Sequence, residues 1–328
     1  MEKIDFEVDD FINYCDYKGL STKTLGSYEQ TLRLFIQYLE YECNIKETEK
    51  VTEAVITKYI TNIKDRGKYT VVVNNSSKKI NHPEHRQDYG KKVSLATVNN
   101  YTRNMRVFFN YMYENRLIKV NPMRKIKPIK TPRKAKGYIA DVDFNRLLKS
   151  FDLSRFHEYR DYVITKLIFD TGMRLGECLL IKEETDINFT ERTIFLPADN
   201  TKGKKDRYVF FSIRMATELK RWLQYRDRYK DSEYCFCTIR GTILSISCFE
   251  SNFTNYGERI GKKEIQPHQL RNNFAKRFLM GGGDIYTLSR ILGHSSVQVT
   301  EQAYLDLDTN DLRSKYQKYS PLMNLKNR

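Results

Sequence analysis

Residues 121–137, NPMRKIKPIKTPRKAKG, divide the chain in two. The stretch holds three of the seven prolines (Pro122, Pro128, Pro132), seven basic residues and no acidic one. Proline removes backbone donors and disfavours helix in the residue before it, so the stretch should run extended between two folded bodies. A soluble spacer is the plain reading. An uncompensated run of positive charge is better suited to a strap laid along phosphates. The expected organisation is a helical domain over residues 1–120, a basic linker over 121–137 and a mixed domain over 138–328.

Upstream of the linker the periodicity is helical. After the N-cap candidates Ser21 and Thr22, apolar residues recur at Leu25, Tyr28, Leu32, Phe35 and Leu39, at steps of three and four. A second helix follows Thr52, with Ile56, Tyr59, Ile60 and Ile63 on one stripe. A third begins near Ser94 and carries Val98, Tyr101, Met105, Phe108 and Met112, and a shorter one covers about residues 5–14. Four such stripes packed together make a small all-α bundle. Residues 64–93 break the pattern as an insertion. Tyr69-Thr-Val-Val-Val73 followed by Asn74-Asn-Ser-Ser77 predicts a short β-hairpin or a mobile loop. His82-Pro-Glu-His85 lacks a third ligand, so no metal site is expected there.

Downstream, helices are expected at 141–151, 160–171 and 217–228. Between them 193–196 and 208–211 read as two strands joined by a basic loop. From there to about residue 319 the chain reads as helical, interrupted at Gly281-Gly-Gly283 and Gly293. The fold class is therefore mainly α with a small antiparallel β-sheet.

Composition narrows the partner. Hydrophobic residues make up 40% and charged residues 30% of the 328, enough for packed cores and against wholesale disorder. The net charge of +16 calls for a polyanion, either nucleic acid or an anionic membrane. No run approaches the ~18 apolar residues of a spanning helix, and no apolar stretch follows Met-Glu-Lys as in a signal peptide. A cytoplasmic protein acting on nucleic acid is expected, with no membrane partner. The six cysteines (Cys15, Cys43, Cys178, Cys235, Cys237, Cys248) form no Cys-x-x-Cys pair and read as reduced thiols. Cys235-Phe-Cys237 is expected to be part of a buried strand.

Several short motifs in the second half carry chemistry. Thr171-Gly-Met-Arg-Leu-Gly-Glu177 ends one helix at Gly172 and starts another at Arg174, where free amides and a positive dipole end suit a phosphate. An ion pair between Arg174 and Glu177 is the plainer alternative. Thr201-Lys-Gly-Lys-Lys-Asp-Arg207 fills the loop between the strands, and a hairpin tip can hold Lys202 toward a ligand. Pro267-His-Gln-Leu-Arg271 places His268 and Arg271 on one helical face if Pro267 opens the helix. Leu292-Gly-His294, with Tyr304 downstream, adds a histidine and a phenol.

In this order, Arg174, Lys202, His268, Arg271, His294 and Tyr304 make the chain resemble the tyrosine recombinase (phage integrase) family, and the likeness extends over nearly the whole length. The departures are Asn272 after Arg271, ten residues from His294 to Tyr304 where nine is commoner, and the insertion at 64–93. The resemblance implies a two-domain DNA clamp: a SAM-like core-DNA-binding domain, then a catalytic domain ending in a protomer-bridging tail. It implies Arg174, Lys202, His268, Arg271 and His294 as catalytic groups, Tyr304 as nucleophile and Glu177 in support. Lys23, Arg103, Arg106, Lys127, Lys130, Arg133 and Lys134 become candidates for DNA contact. The implied reaction proceeds through a 3′-phosphotyrosyl link and a Holliday junction, without cofactor, metal or ATP. The implied partner is double-stranded DNA with inverted-repeat core sites. A homo-tetramer would form on DNA from protomers that are monomeric when free, with accessory DNA-bending proteins compatible, in the nucleoid of a bacterium.

Within the family, no arm-binding domain is expected before residue 1, which disfavours the large phage type, and the insertion with a Lys-, Asn-, Ile- and Tyr-rich composition points to the integrase or transposase of a mobile element. The alternative is an Xer-type or plasmid dimer resolvase. Outside the family, a type IB topoisomerase and a non-catalytic DNA-binding regulator are the rivals.

Overall fold

The computed structural model describes residues 3–73, 75–132, 137–201, 203–229 and 231–304, with 313, 316, 317 and 320. The chain divides into two compact units, Met1–Arg133 and Lys134–Arg328. No helix among the described residues is long and apolar enough to cross a membrane.

The first unit is built on α1 (Lys3–Tyr17), α2 (Thr22–Cys43), α3 (Glu53–Asp65), α4 (Asn75–Asn81) and α5 (Leu95–Glu114). Three of these helices start where a hydroxyl can cap them. Ser21, Thr52 and Ser94 accept hydrogen bonds from the amides of Thr24, Val55 and Thr97, each contributing about 1 kcal/mol. The apolar stripes meet in one core that includes Phe11, Leu32, Phe35, Leu39, Ile56, Tyr59, Met105, Phe108 and Met112. A polar rivet crosses it: the buried Asn104 amide donates to Thr31 Oγ1 at 3.0 Å and Ser27 O at 3.1 Å, fastening α5 to α2. Arg33 pairs with Asp5 and Asp9, tying α2 to α1.

The insertion corrects the sequence expectation. Residues 71–73 form no strand; the segment instead holds α4 and a 3₁₀ turn at Pro83–His85. A Val-rich run needs a partner strand to satisfy its backbone. Here the Val73 carbonyl accepts from Gln37 Nε2, and the two ends of the insertion meet in one isolated bridge, Gly67 to Lys92.

The basic stretch is not a free tether over its described part. Met123 is buried, and Ile126 and Ile129 pack against the core of the first unit, while Lys125, Lys127 and Lys130 are exposed. Asn99 on α5 brackets Ile129, donating to its carbonyl and accepting from its amide, both at 2.9 Å. Arg106 is half-buried and donates to the Ile126 carbonyl. Lys23 and Arg103 are exposed, whereas Arg133 and Lys134 lie outside the described residues.

The second unit is arranged about α7 (Phe156–Thr171), which packs on α8 (Leu175–Leu179), α10 (Ile213–Asp227) and α12 (Pro267–Met280). The short helix α6 (Asp141–Lys149) adds Phe144 and Leu147 to the core of this unit, and α9 (Glu183–Asp186) leads into the sheet. Buried residues lie on every side of α7, including the charged Glu158, Arg160 and Asp161. Arg160 pairs with Asp161 at 2.8 Å and donates to Cys237 O. Asp161 also accepts from Asn252 and Tyr256 of α11 (Ile246–Arg259). Burial raises the Asp161 carboxyl above its ordinary range against the pull of Arg160.

The sheet runs β1 (Ile187–Asn188), β2 (Thr193–Leu196), β3 (Arg207–Phe210), all antiparallel. Strand β1 was not expected, and β3 starts one residue earlier than the pattern suggested. Leu196 pairs with Arg207 and Ile194 with Val209, so Arg207 and Val209 share the inner face while Tyr208 and Phe210 stand exposed. Cys235-Phe236-Cys237 is fully buried as expected, but as a turn at 235–236 between isolated bridges of Tyr234 with Lys182 and Cys237 with Ile243, rather than as a strand. The indole of Trp222 donates to Cys235 O at 2.9 Å, and the Cys235 amide donates to Ile181 O, so neighbouring groups take the bonds a strand would have used. Helices α13 (Ile285–Leu292) and α14 (Val297–Tyr304) follow.

Candidate active site

Three chain reversals converge in the second unit. The first lies between α7 and α8. Gly172 closes α7 with φ 68°, and a Cβ there would stand 2.2 Å from the Phe274 ring, so both backbone and space demand glycine. The chain re-enters helix with Arg174 as N-cap of α8. Glu177, three residues on, accepts from the Arg174 amide at 2.8 Å and from its Nη1 at 2.9 Å. The ion pair weighed from the sequence is therefore formed, and it orients Arg174 rather than leaving it on the surface.

The second reversal opens α12. Pro267 occupies its first position, where the missing donor costs nothing. His268 is exposed in the first turn, and Arg271, one turn on, is buried. The Arg271 guanidinium donates to Gly172 O at 2.7 Å and Leu292 O at 2.8 Å, and bonds His294 Nε2 at 3.0 Å. One side chain thus joins residues 99 and 21 positions away in sequence.

The third reversal is the Gly293 turn after α13. Gly293 takes φ 64°, and a Cβ there would come within 2.9 Å of the Arg207 side chain, so the turn lies directly against that arginine. His294 follows, its Nδ1 2.7 Å from Thr300 Oγ1.

Arg207 is the residue the sequence reading missed. Quoted as the end of a basic loop, it is the first residue of β3, and its side chain is only 10% exposed. It forms a two-point ion pair with Glu177, at 2.6 and 3.0 Å, and donates to Ile291 O. The period-two pattern contained the signal: Arg207 shares a face with buried Val209, and an arginine on a buried face requires a carboxylate. Burial works against the charged form of Glu177, but the bonds and charges of Arg207 and Arg174 outweigh it and hold the carboxyl below the ordinary range.

Arg174, His268 and Arg271 line one cavity of about 420 Å³ together with Glu250, Gln266 and Pro267. His294 and Arg207 line an adjoining groove of about 660 Å³ with Thr201, Gly203 and Lys205 of the hairpin loop. With one buried carboxylate shared by two guanidiniums, positive charge remains for an anion, and phosphate geometry suits arginine. Of the predicted set, the structure brings together Arg174, Glu177, His268, Arg271 and His294. Lys202 and the side chain of Tyr304 lie outside the described residues; the Tyr304 backbone is the last of α14.

The family model described as the phage integrase family matches residues 138–311, and that of the phage integrase N-terminal SAM-like domain matches residues 8–78. The chain is 29% identical over 331 residues to tyrosine recombinase XerC of Thermodesulfovibrio yellowstonii, with 98% of each chain covered. It is 24% identical over 325 residues to tyrosine recombinase XerD of Listeria monocytogenes, covering 96% of this chain and 98% of that one. Among solved structures, the Tn1549 transposon integrase in complex with transposon right-end DNA has a TM-score of 0.73 at 16% identity, covering 97% of this chain and 99% of that chain, a likeness of fold.

Proposed function

The chain belongs to the phage integrase family of tyrosine recombinases, and from that premise we propose that it exchanges DNA strands at a specific inverted-repeat site through a 3′-phosphotyrosyl intermediate. The observation that carries this is Arg271, whose guanidinium gathers Gly172, Leu292 and His294 around one cavity with Arg174 and His268.

Arg174 and Arg271 bind the non-bridging oxygens of the scissile phosphate and neutralise charge that builds in the transition state. A phenol with pKa near ~10 needs such surroundings to attack at neutral pH. The Tyr304 oxygen forms a bond to phosphorus while the bond to the 5′ oxygen breaks. Lys202 gives that oxygen its proton, His268 takes the proton of the tyrosine, and His294 donates a hydrogen bond to the phosphate. The phosphotyrosyl link keeps the phosphodiester's energy, so the 5′-hydroxyl of a partner strand can rejoin it without ATP or metal. Four protomers on two sites would pass through a Holliday junction, with the residues beyond α14 linking protomers.

Within the family the Xer-type reading replaces the mobile-element one. Relatives matched over nearly their full length include XerC and XerD, whereas the transposon integrase likeness, at 16% identity, carries the fold alone. The test is to recover DNA covalently attached to the protein in cells and sequence its 3′ ends. Wild type should yield one inverted-repeat core and Tyr304→Phe none. A plasmid with two direct copies of that core should then resolve into two circles. Relaxed topoisomers without resolution would instead indicate a type IB topoisomerase, and no covalent DNA at all a regulator.

A further inference from the structure

His294 is held from two sides by Arg271 and Thr300, and the chemistry of these two groups indicates where its proton lies. A guanidinium has only donors, so the Arg271 nitrogen 3.0 Å from Nε2 donates and Nε2 accepts. The imidazole is then neutral with its proton on Nδ1, which donates to Thr300 Oγ1 at 2.7 Å. Thr300 is fully buried on α14, one turn before Tyr304, and α14 packs against α12 and α13.

This arrangement is the wrong one for binding phosphate. A His294 that donates to a phosphate oxygen needs its proton on Nε2, which leaves a lone pair on Nδ1. Among side chains of this size only a hydroxyl serves both states, accepting from Nδ1–H and, after turning about its C–O bond, donating to Nδ1. Valine has the same shape and can do neither.

We propose that Thr300 is a positioning residue that holds the His294 ring in both tautomers and ties its readiness to the seating of the helix that carries Tyr304. The proposal rests on the strand-transfer reading above. When a phosphate enters, Arg271 turns its donor from Nε2 to the phosphate. His294 gives its Nδ1 proton to water and takes one from water at Nε2, with no net change. The Thr300 hydroxyl reverses its bond, and the ring stays in place. If α14 is not seated, Nδ1 loses the Thr300 hydroxyl, and a site without its nucleophile helix is left with a less firmly oriented histidine.

The first measurement needs no DNA. The chain has five histidines, so imidazole ¹⁵N spectra of the full-length protein, with His294→Gln for assignment, can report this ring. Free wild type should show neutral His294 protonated on Nδ1. An Nε2-protonated ring there would overturn the proposal whatever the variants do. The second measurement is single-turnover covalent trapping on a nicked duplex of the core sequence recovered above. Thr300→Val should slow trapping by about tenfold, the usual order for one lost buried hydrogen bond, and Thr300→Ser should restore it. In a His294→Ala background, Thr300→Val should add nothing. An equal slowing in that background would mean that Thr300 only packs α14, and the proposal would fall. Failure of wild type to trap any DNA covalently would instead sink the strand-transfer reading, independently of Thr300.

Discussion

Arg207 and Glu177 face each other across 30 residues of sequence in a nearly dry two-point ion pair, Nη2 to Oε2 at 2.6 Å and Nη1 to Oε1 at 3.0 Å. Their side chains are 10% and 2% exposed, so solvent screens the pair little. The same carboxylate holds the backbone and side chain of Arg174. The strand carrying Arg207 therefore sets the position of Arg174 through a shared acid, and the Gly293 turn rests on the arginine between them.

Replacing Arg207 by methionine should leave Glu177 buried with half its compensation, a loss on the order of 3 kcal/mol. The sign of its pH dependence follows from the lowered carboxyl. Its stabilisation is complete above the ordinary carboxylate range, near ~4.5, and is lost as pH falls through the lowered value. The gap in melting temperature between wild type and Arg207→Met should thus be widest near neutral pH and narrow below about pH 4.5. A gap that stays constant with pH would show that Glu177 is not the group Arg207 compensates.

Tyr304→Phe should abolish covalent DNA linkage and leave binding of the core site within about twofold, because only the attacking oxygen is lost. A gel shift beside a denaturing gel reads both. If the variant still links DNA, Tyr316 and Tyr319 become the residues to test.

Lys202→Ala should slow cleavage at an ordinary 5′ oxygen by roughly 10²-fold or more and at a 5′ sulfur far less, since a thiolate leaves without a proton. Equal slowing on both substrates would remove Lys202 from the role of acid.

The fastened part of the basic stretch should act as a fixed row of cations. Replacing Lys125, Lys127 and Lys130 by glutamine should flatten the slope of log affinity against log salt by up to about 0.9 per cation that touches phosphate. Discrimination between core and random DNA should change little, since phosphate contacts carry no direct sequence information. Asn99→Ala should unfasten the row, speeding hydrogen exchange at the Ile129 amide, which Asn99 now accepts. An unchanged salt slope in the triple variant would make the stretch a spacer.

What could be read in advance was local. Ser21, Thr52 and Ser94 announced helix starts because a cap bonds an amide three residues away. Pro267 announced α12 for the same reason of range. The Val-rich run at 71–73 misled because strand propensity means nothing without a neighbouring strand, and none is present there among the described residues. Cys235 to Cys237 was legible as buried but not as a turn, since the carbonyl of Ile181 and the indole of Trp222 that complete it come from elsewhere in the chain.

By itself, then, the sequence determined the helical starts and the order of the motifs that carry Arg174, His268, Arg271, His294 and Tyr304. Only the tertiary structure decided the partnerships: Arg271 with Gly172, Leu292 and His294; Arg207 with Glu177; Thr300 with His294; Asn99 with Ile129. The physical reason is range. Caps, turns and periodic stripes act within a few residues, so their signal lies in the local pattern. A buried arginine or imidazole takes its role from whatever donor or acceptor packing brings to it, and in this chain packing brings Gly172 to Arg271 from 99 residues away.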